Sequence, residues 1–388
     1  MKGLMKSHSP GLLLSFFIFL NFSVRATTFY VDANGSNPVS PYNSWSTAAT
    51  NIQDAVNISG VGTLILVTNG IYQYGGFNGS RVNVGGGVTI QSVNGPAFTI
   101  IDGAAAMRCI SLPNSAALYG FTLTNGATSG ANYGAGVFCG SLGCTVSNCI
   151  ITGNAAASLG AGAYSGTLIN CILSENVVAS AGSGGGADQS SLINCLLMAN
   201  RAGYRGAAAE GCSLVNCTVV TNTGQVDGID GCKLLNCISY YNYPDDGESS
   251  GDGTSFTNCC VPALPTFNSA NNFTNAPLFV NLAAFNFRLS LGSPCINAGN
   301  NAYITNTTDL DGNPRIVNGI VDLGAYESPY NYLKNIHFVS LSSTNPLAPF
   351  NDWSIAATNI QDAIDVSTNG DLVLVTDGVY QVGARVVP

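Results

Sequence analysis

Charge is scarce in this chain. Only 9% of its 388 residues are Asp, Glu, Lys or Arg. Soluble helices carry long Lys/Glu faces, so their lack makes an all-β architecture the first expectation. Histidine occurs twice, at His8 and His337, and no C-x-x-C spacing is present, which argues against a zinc-type site. Basic residues are also few: 12 Lys and Arg against 21 Asp and Glu give a net charge of −9. That balance argues against nucleic acid and anionic membranes as partners and is compatible with divalent cations. Beyond residue 26 no apolar run is long enough to span a membrane.

The first 26 residues read as a signal peptide, with Lys2 and Lys6 ahead of the apolar stretch GLLLSFFIFLNF and small residues at Val24 and Ala26. Cleavage after Ala26 leaves 9 basic and 21 acidic residues, a net charge of −12. The expected location is outside the cell, in the medium or on a bacterial outer-membrane surface.

Glycine and cysteine are plentiful, at 46 and 13 residues. The cysteines carry a repeat. SNCIITGN, INCILSEN, INCLLMAN, VNCTVVTN, LNCISYYN and TNCCVP place Cys149, Cys171, Cys195, Cys217, Cys237 and Cys259 at steps of 22, 24, 22, 20 and 22 residues. An asparagine precedes each: Asn148, Asn170, Asn194, Asn216, Asn236 and Asn258. A second follows five residues later in five of them, at Asn154, Asn176, Asn200, Asn222 and Asn242. Small runs, GAGA from Gly160, GGGA from Gly184, GAAA from Gly206 and a degenerate VDGI from Val226, stand ahead of four.

A period near 22 with apolar triplets between Gly/Asn turns, and no helical periodicity, predicts a parallel β-helix. Coils stack at ~4.8 Å, so each repeat position becomes a column. Asparagine at a turn tolerates left-handed angles, and its amide can bond the copies above and below. Cysteine is a compact hydrophobe for a narrow core. Stacked thiols would be close enough to bridge, but parallel Cβ vectors fit a disulfide poorly, so a reduced, buried cysteine column is expected.

STAATNIQDAVN, with Ile52, Ala55 and Val56 at helical spacing, predicts a short helix covering the open end of the solenoid. The organisation reads as a signal peptide over 1–26, the β-helix with its cap over 27–262, a terminal capping segment over 263–328, and the start of a second unit over 329–388. In that last stretch FYVDANGSNPVSPYNSWSTAATNIQDAVN returns as HFVSLSSTNPLAPFNDWSIAATNIQDAID at an offset of 308. The sequence thus reads as a piece of a tandem array or as an array shortened in the past.

With these motifs, residues 27–328 resemble the right-handed parallel β-helix proteins of the pectate-lyase-like superfamily. More narrowly they resemble bacterial surface proteins with polymorphic outer-membrane-protein repeats. SPCINAG and DLDGNPR…VDLGAYE are similar to the choice-of-anchor Q segment, which in such proteins follows the β-helix. The resemblance implies the fold and leaves function open, because this fold hosts lyases, hydrolases and adhesins.

Seven residues ahead of four successive repeat cysteines stand Asp188, Glu210, Asp230 and Asp252; the two earlier coils have Leu142 and Tyr164 there. Stacked carboxylates repel, so they either bind a cation, calcium being suited to oxygen ligands, or carry raised pKa values. Asp227, Asp245, Asp246 and Glu248 fall in the same region. The row reads equally as a solvated acidic stripe, or as a catalytic set: carboxylates about 5 or 10 Å apart bracket the separations used by glycosidases. A lyase would need calcium and a basic proton acceptor, for which Arg205 is the nearby candidate. Tyr164, Tyr204, Tyr241 and Tyr243 offer sugar-stacking rings. Asp309, Asp311 and Asn313 alternate as in a calcium loop, but Ile320 holds the twelfth position, so a structural turn with Arg315 pairing Asp322 is expected.

The function expected from the sequence is an exported surface or adhesin-like β-helix that binds polysaccharide. The alternative is a polysaccharide lyase or glycoside hydrolase using the stacked carboxylates.

Overall fold

The computed structural model describes residues 27–179, 181–243, 253–264, 269–329, 335–368 and 371–383. The proposed signal peptide and Asp252, Asp245, Asp246 and Glu248 lie outside them. The chain winds as a right-handed parallel β-helix of about eight turns, visiting three sheets in rotation. One coil runs from Ser191–Ile193 in the eleven-stranded first sheet to Leu196–Met198 in the eight-stranded second. It continues to Ala209–Glu210 in the seven-stranded third, and Ser213–Val215 begins the next coil.

The strands are triplets because the middle residue alone faces inward. Val146, Leu168, Leu192, Leu214 and Leu234 stack in register along the first sheet, fully buried. Each buried leucine contributes about 2 kcal/mol. Ile151, Leu173, Leu197 and Val219 do the same along the second sheet.

The two asparagine columns divide the work of turning. Between the first and second sheets a single left-handed residue makes the bend: Asn148, Asn170, Asn194, Asn216, Asn236 and Asn258 have φ between +51° and +54°. The cysteine that follows is thereby turned into the core, and all thirteen cysteines are free and buried. The thiols are wired coil to coil, with the Cys195, Cys217 and Cys237 amides each donating to the next Sγ at 3.4 Å.

The amide ladder, anticipated in the Asn148 to Asn258 column, runs instead through the second asparagines. Asn154, Asn176, Asn200 and Asn222 each donate Nδ2 to the next Oδ1 at 2.9 Å, ending on Asn242. The same Nδ2 atoms bond carbonyls one coil back, such as Ile151 O and Leu173 O at 2.9 Å. A buried amide needs all its partners, and only the inward-facing column supplies them on both sides.

The helix Ile52–Asn57 forms where expected, with Asn51 Oδ1 capping Asp54 N at 2.9 Å. Its buried Ile52, Ala55 and Val56 join the core cluster of the first coils. In the C-terminal repeat of this unit, Ile336–Val339 pairs in parallel with Leu372–Val375, beside the helix Ile360–Val366.

Residues 279–328 lie against a flank, the outer face of the second sheet. Phe287, Ala325 and Tyr326 pack on Leu196 and Val220, while Leu289, Cys295 and Leu323 pack on Ile238 and Cys260. The first asparagine column anchors them. Asn236 bonds Asn300 in both directions, at 2.9 and 3.0 Å, and Asn194 Nδ2 donates to Thr308 O. With its oxygen toward the guanidinium, Asn216 accepts from Arg315 Nη2 and Nε at 2.6 and 2.9 Å. Among the described residues no helix is long and apolar enough to cross a membrane.

Candidate functional site

Along the third sheet, inward and outward residues alternate. Val137, Ala163, Ala187, Ala209 and Ile229 enter the core. The residue after each faces out, and strand register aligns them: Phe138, Tyr164, Asp188, Glu210 and Asp230. The row continues one coil earlier through Ser111. Leu142, counted into this column from the cysteine spacing, does not belong to it. The turn between Phe138 and Thr145 holds four residues more than its counterparts, so Phe138 takes the column and Leu142 sits exposed on the turn.

The row has two ends of different character. At one, Phe138 and Tyr164 stack with ring centroids 5.7 Å apart and planes 1° from parallel, and Tyr133 lies 4.7 Å from Tyr164. The Arg108 guanidinium covers the Phe138 ring at 5.0 Å, held by Gly134 O at 2.8 Å, Tyr133 O at 2.7 Å and Ser80 Oγ at 3.1 Å. Beside it opens a cavity of about 290 Å³ lined by Asn78, Met107, Arg108, Thr128 and Asn132. Sequence reasoning missed Arg108, Tyr133 and Phe138. Only the register across the inserted turn discloses them.

At the other end stand the acids. Asp188 is 2% exposed and Asp230 4%. The small-residue runs explain how they come to be covered. Gly184, at φ +68°, lies so close that a Cβ there would meet Asp188 Cβ at 2.7 Å, and Gly206 stands likewise 2.8 Å from Glu210 Cβ. Each run is therefore a tight left-handed turn laid over the acid of its own coil. Burial, and secondarily the charge of Glu210, pushes the Asp188 carboxyl up to about 7. Glu210 Oε2 is buried without a hydrogen-bond partner. Arg205 Nη1 reaches Asp230 Oδ2 at 3.5 Å while its guanidinium rests 5.0 Å from the Tyr204 ring. Asp227, also buried, sits on the turn leading into Asp230.

The carboxylates form a row, one per coil, rather than a ring. Among the described residues no group of three or more Asp, Glu, His and Cys side chains converges to hold a metal ion; Asp252, Asp245, Asp246 and Glu248 of the expected calcium set lie outside those residues. Of the four expected tyrosines, Tyr164 is in the row and Tyr204 beside Arg205. Tyr241 instead packs near Tyr240 and Phe279, and Tyr243 follows a separate turn column with Arg201 and Thr223.

The Asp309 loop is a turn closed on itself: Oδ1 accepts from Asp311 N at 3.0 Å and Asn313 N at 2.7 Å. Arg315 does bond Asp322, through the main-chain carbonyl at 3.0 Å.

A scan of protein-family models finds no match, and neither does a search of curated proteins. Among solved structures the chain is similar to pectate lyase Pel9A, with a TM-score of 0.50 and 16% identity over 77% of this chain and 96% of that one. It also matches a rhamnogalacturonan lyase, with a TM-score of 0.40 and 12% identity over 76% of this chain and 96% of that one. A pectin methylesterase bound to a hexasaccharide follows, with a TM-score of 0.33 and 14% identity over 61% of this chain and 80% of that one. At these identities the likeness is one of fold.

Proposed function

We propose that the outer face of the third sheet binds polysaccharide, and that the chain is an exported, surface or adhesin-like β-helix protein. The observation that carries this reading is the stacked pair Phe138 and Tyr164, with Arg108 over the Phe138 ring and an open cavity beside it, at the uncovered end of the row. Aromatic rings present flat apolar surface to the C–H faces of pyranose rings. Arg108 and the amide-lined cavity beside the rings suit a hydroxyl-rich or carboxylated sugar. The net charge of −9 disfavours a densely anionic glycan, so one with sparse charge fits best. The fold shared with a pectate lyase agrees with such a ligand.

One observation favours the enzymatic alternative. Asp188 holds its proton to about pH 7 next to Glu210, whose Oε2 has no partner. A carboxyl and a neighbouring carboxylate are the two states that general acid–base cleavage of a glycosidic bond requires.

A panel of neutral and acidic polysaccharides tests both readings, assayed for binding and for reducing-end or unsaturated products. Binding weakened about tenfold by Tyr164→Ala, without products, supports the binding face; one lost stacking partner is worth roughly 1–1.5 kcal/mol. Equal binding by Tyr164→Ala and wild type overturns it. Product release abolished by Asp188→Asn makes the chain an enzyme.

A further inference from the structure

We propose that Cys260 and Cys295 form a disulfide that fastens the flank segment to the solenoid. The placement of the thirteen cysteines sets this pair apart. Eleven belong to the solenoid's interior cluster, and these two alone belong to the cluster between solenoid and flank. Cys260 follows the ladder residue Cys259 and is therefore turned outward. It occupies the column that holds Ile150, Ile172, Leu196, Thr218 and Ile238 in earlier coils. Ile172, Leu196, Thr218 and Ile238 of that column meet the flank, and Cys295 is the only cysteine of the flank.

The two side chains share one buried cluster, each fully buried, and the Cys260 thiol donates to Asn275 O at 3.2 Å. Their geometry differs from the ladder's. Ladder cysteines come from equivalent positions of stacked coils, with parallel Cβ vectors that suit a disulfide poorly. Cys260 belongs to the solenoid and Cys295 to the flank that covers it, so the pair joins two different segments and not equivalent positions of stacked coils. Burial holds the Cys295 thiol well above its ordinary value. Exchange therefore proceeds while the segment is docking, before the pair is sealed.

The co-reactant is a small-molecule disulfide such as oxidised glutathione. One protein thiolate attacks a glutathione sulfur and releases one glutathione thiolate. The second protein thiolate then displaces the other glutathione, so two protein thiols become one disulfide and two glutathiones are formed.

Refolding the reduced full chain in oxidised and reduced glutathione, blocking remaining thiols and digesting without reduction tests this. The expected result is a peptide containing Cys260 joined to one containing Cys295, with two fewer free thiols than the thirteen of the sequence. Fragmentation between Cys259 and Cys260 in the wild-type peptide assigns the bridge without any variant. A Cys259→Ala chain keeps the crosslink and a Cys260→Ala chain loses it. Thirteen free thiols, or Cys295 joined to Cys259 or to an interior cysteine, would overturn the proposal.

Discussion

Asp188 should make this protein less stable as the pH rises, the reverse of the usual carboxylate. Its folded value of about 7 stands above the ordinary 3.8. Between those values the native chain holds a proton that the unfolded chain has released, so stability falls with pH. The slope is about 1.4 kcal/mol per pH unit, and the penalty is complete above pH 7. Across the whole window the loss comes to roughly 4 kcal/mol. The residue is 2% exposed, so water screens little of it. Asp188→Asn keeps the shape and removes the ionisation. The amide variant should match wild type within about 1 kcal/mol at pH 4 and exceed it by roughly 2–4 kcal/mol at pH 8. Glu210→Gln, which removes the second cause of the shift, should give an intermediate slope. Urea unfolding of the three chains at pH 4, 6 and 8 measures this, and their differences cancel the buried Asp322 and Glu327, which titrate at about 6 and about 7. A pH profile for Asp188→Asn parallel to that of wild type would refute the assignment of burial to this carboxyl.

Asn200→Ala removes an amide that donates to Leu173 O and Asn222 Oδ1 and accepts from Asn176 N and Nδ2. Stranding those partners should cost about 2–4 kcal/mol in urea unfolding, and a loss below about 1 kcal/mol would show the ladder to be dispensable. Gly184→Ala meets both a left-handed φ of +68° and the Asp188 Cβ at 2.7 Å, whereas Gly130, at φ +60°, has nothing within 4 Å. The alanine at 184 should therefore cost more than the one at 130, which loses only the backbone term of about 1–2 kcal/mol; equal midpoint shifts would remove the steric argument.

The periodic part of this structure was legible because each coil repeats the same local problem. Asn before Cys and the 22-residue step together specify the bend, the buried thiol and the stacked coil. The acid row could be counted from the cysteines because the turns after Tyr164, Asp188, Glu210 and Asp230 have equal lengths. Counting failed at Leu142, where four inserted residues shift the register and conceal Phe138. The roles of the two asparagine columns were not separable by pattern, since both follow the same period. What divides them is direction: one amide points into the core, the other toward the flank. The flank itself was illegible. Its docking joins Asn216 to Arg315 and Thr218 to Ala325 across about a hundred residues, and no local spacing encodes such a pairing.

Because every column is continuous from coil to coil, the solenoid has a reading frame. Removing one whole period, such as residues 195–216, brings like against like in every sheet and shortens the outer face of the third sheet by one step of ~4.8 Å. Removing a single residue within a strand turns Asp188 or its neighbours inward and carries an alanine out. Length is thus the dimension along which this fold varies at least cost: a lineage can lengthen or shorten the outer face by copying or dropping coils.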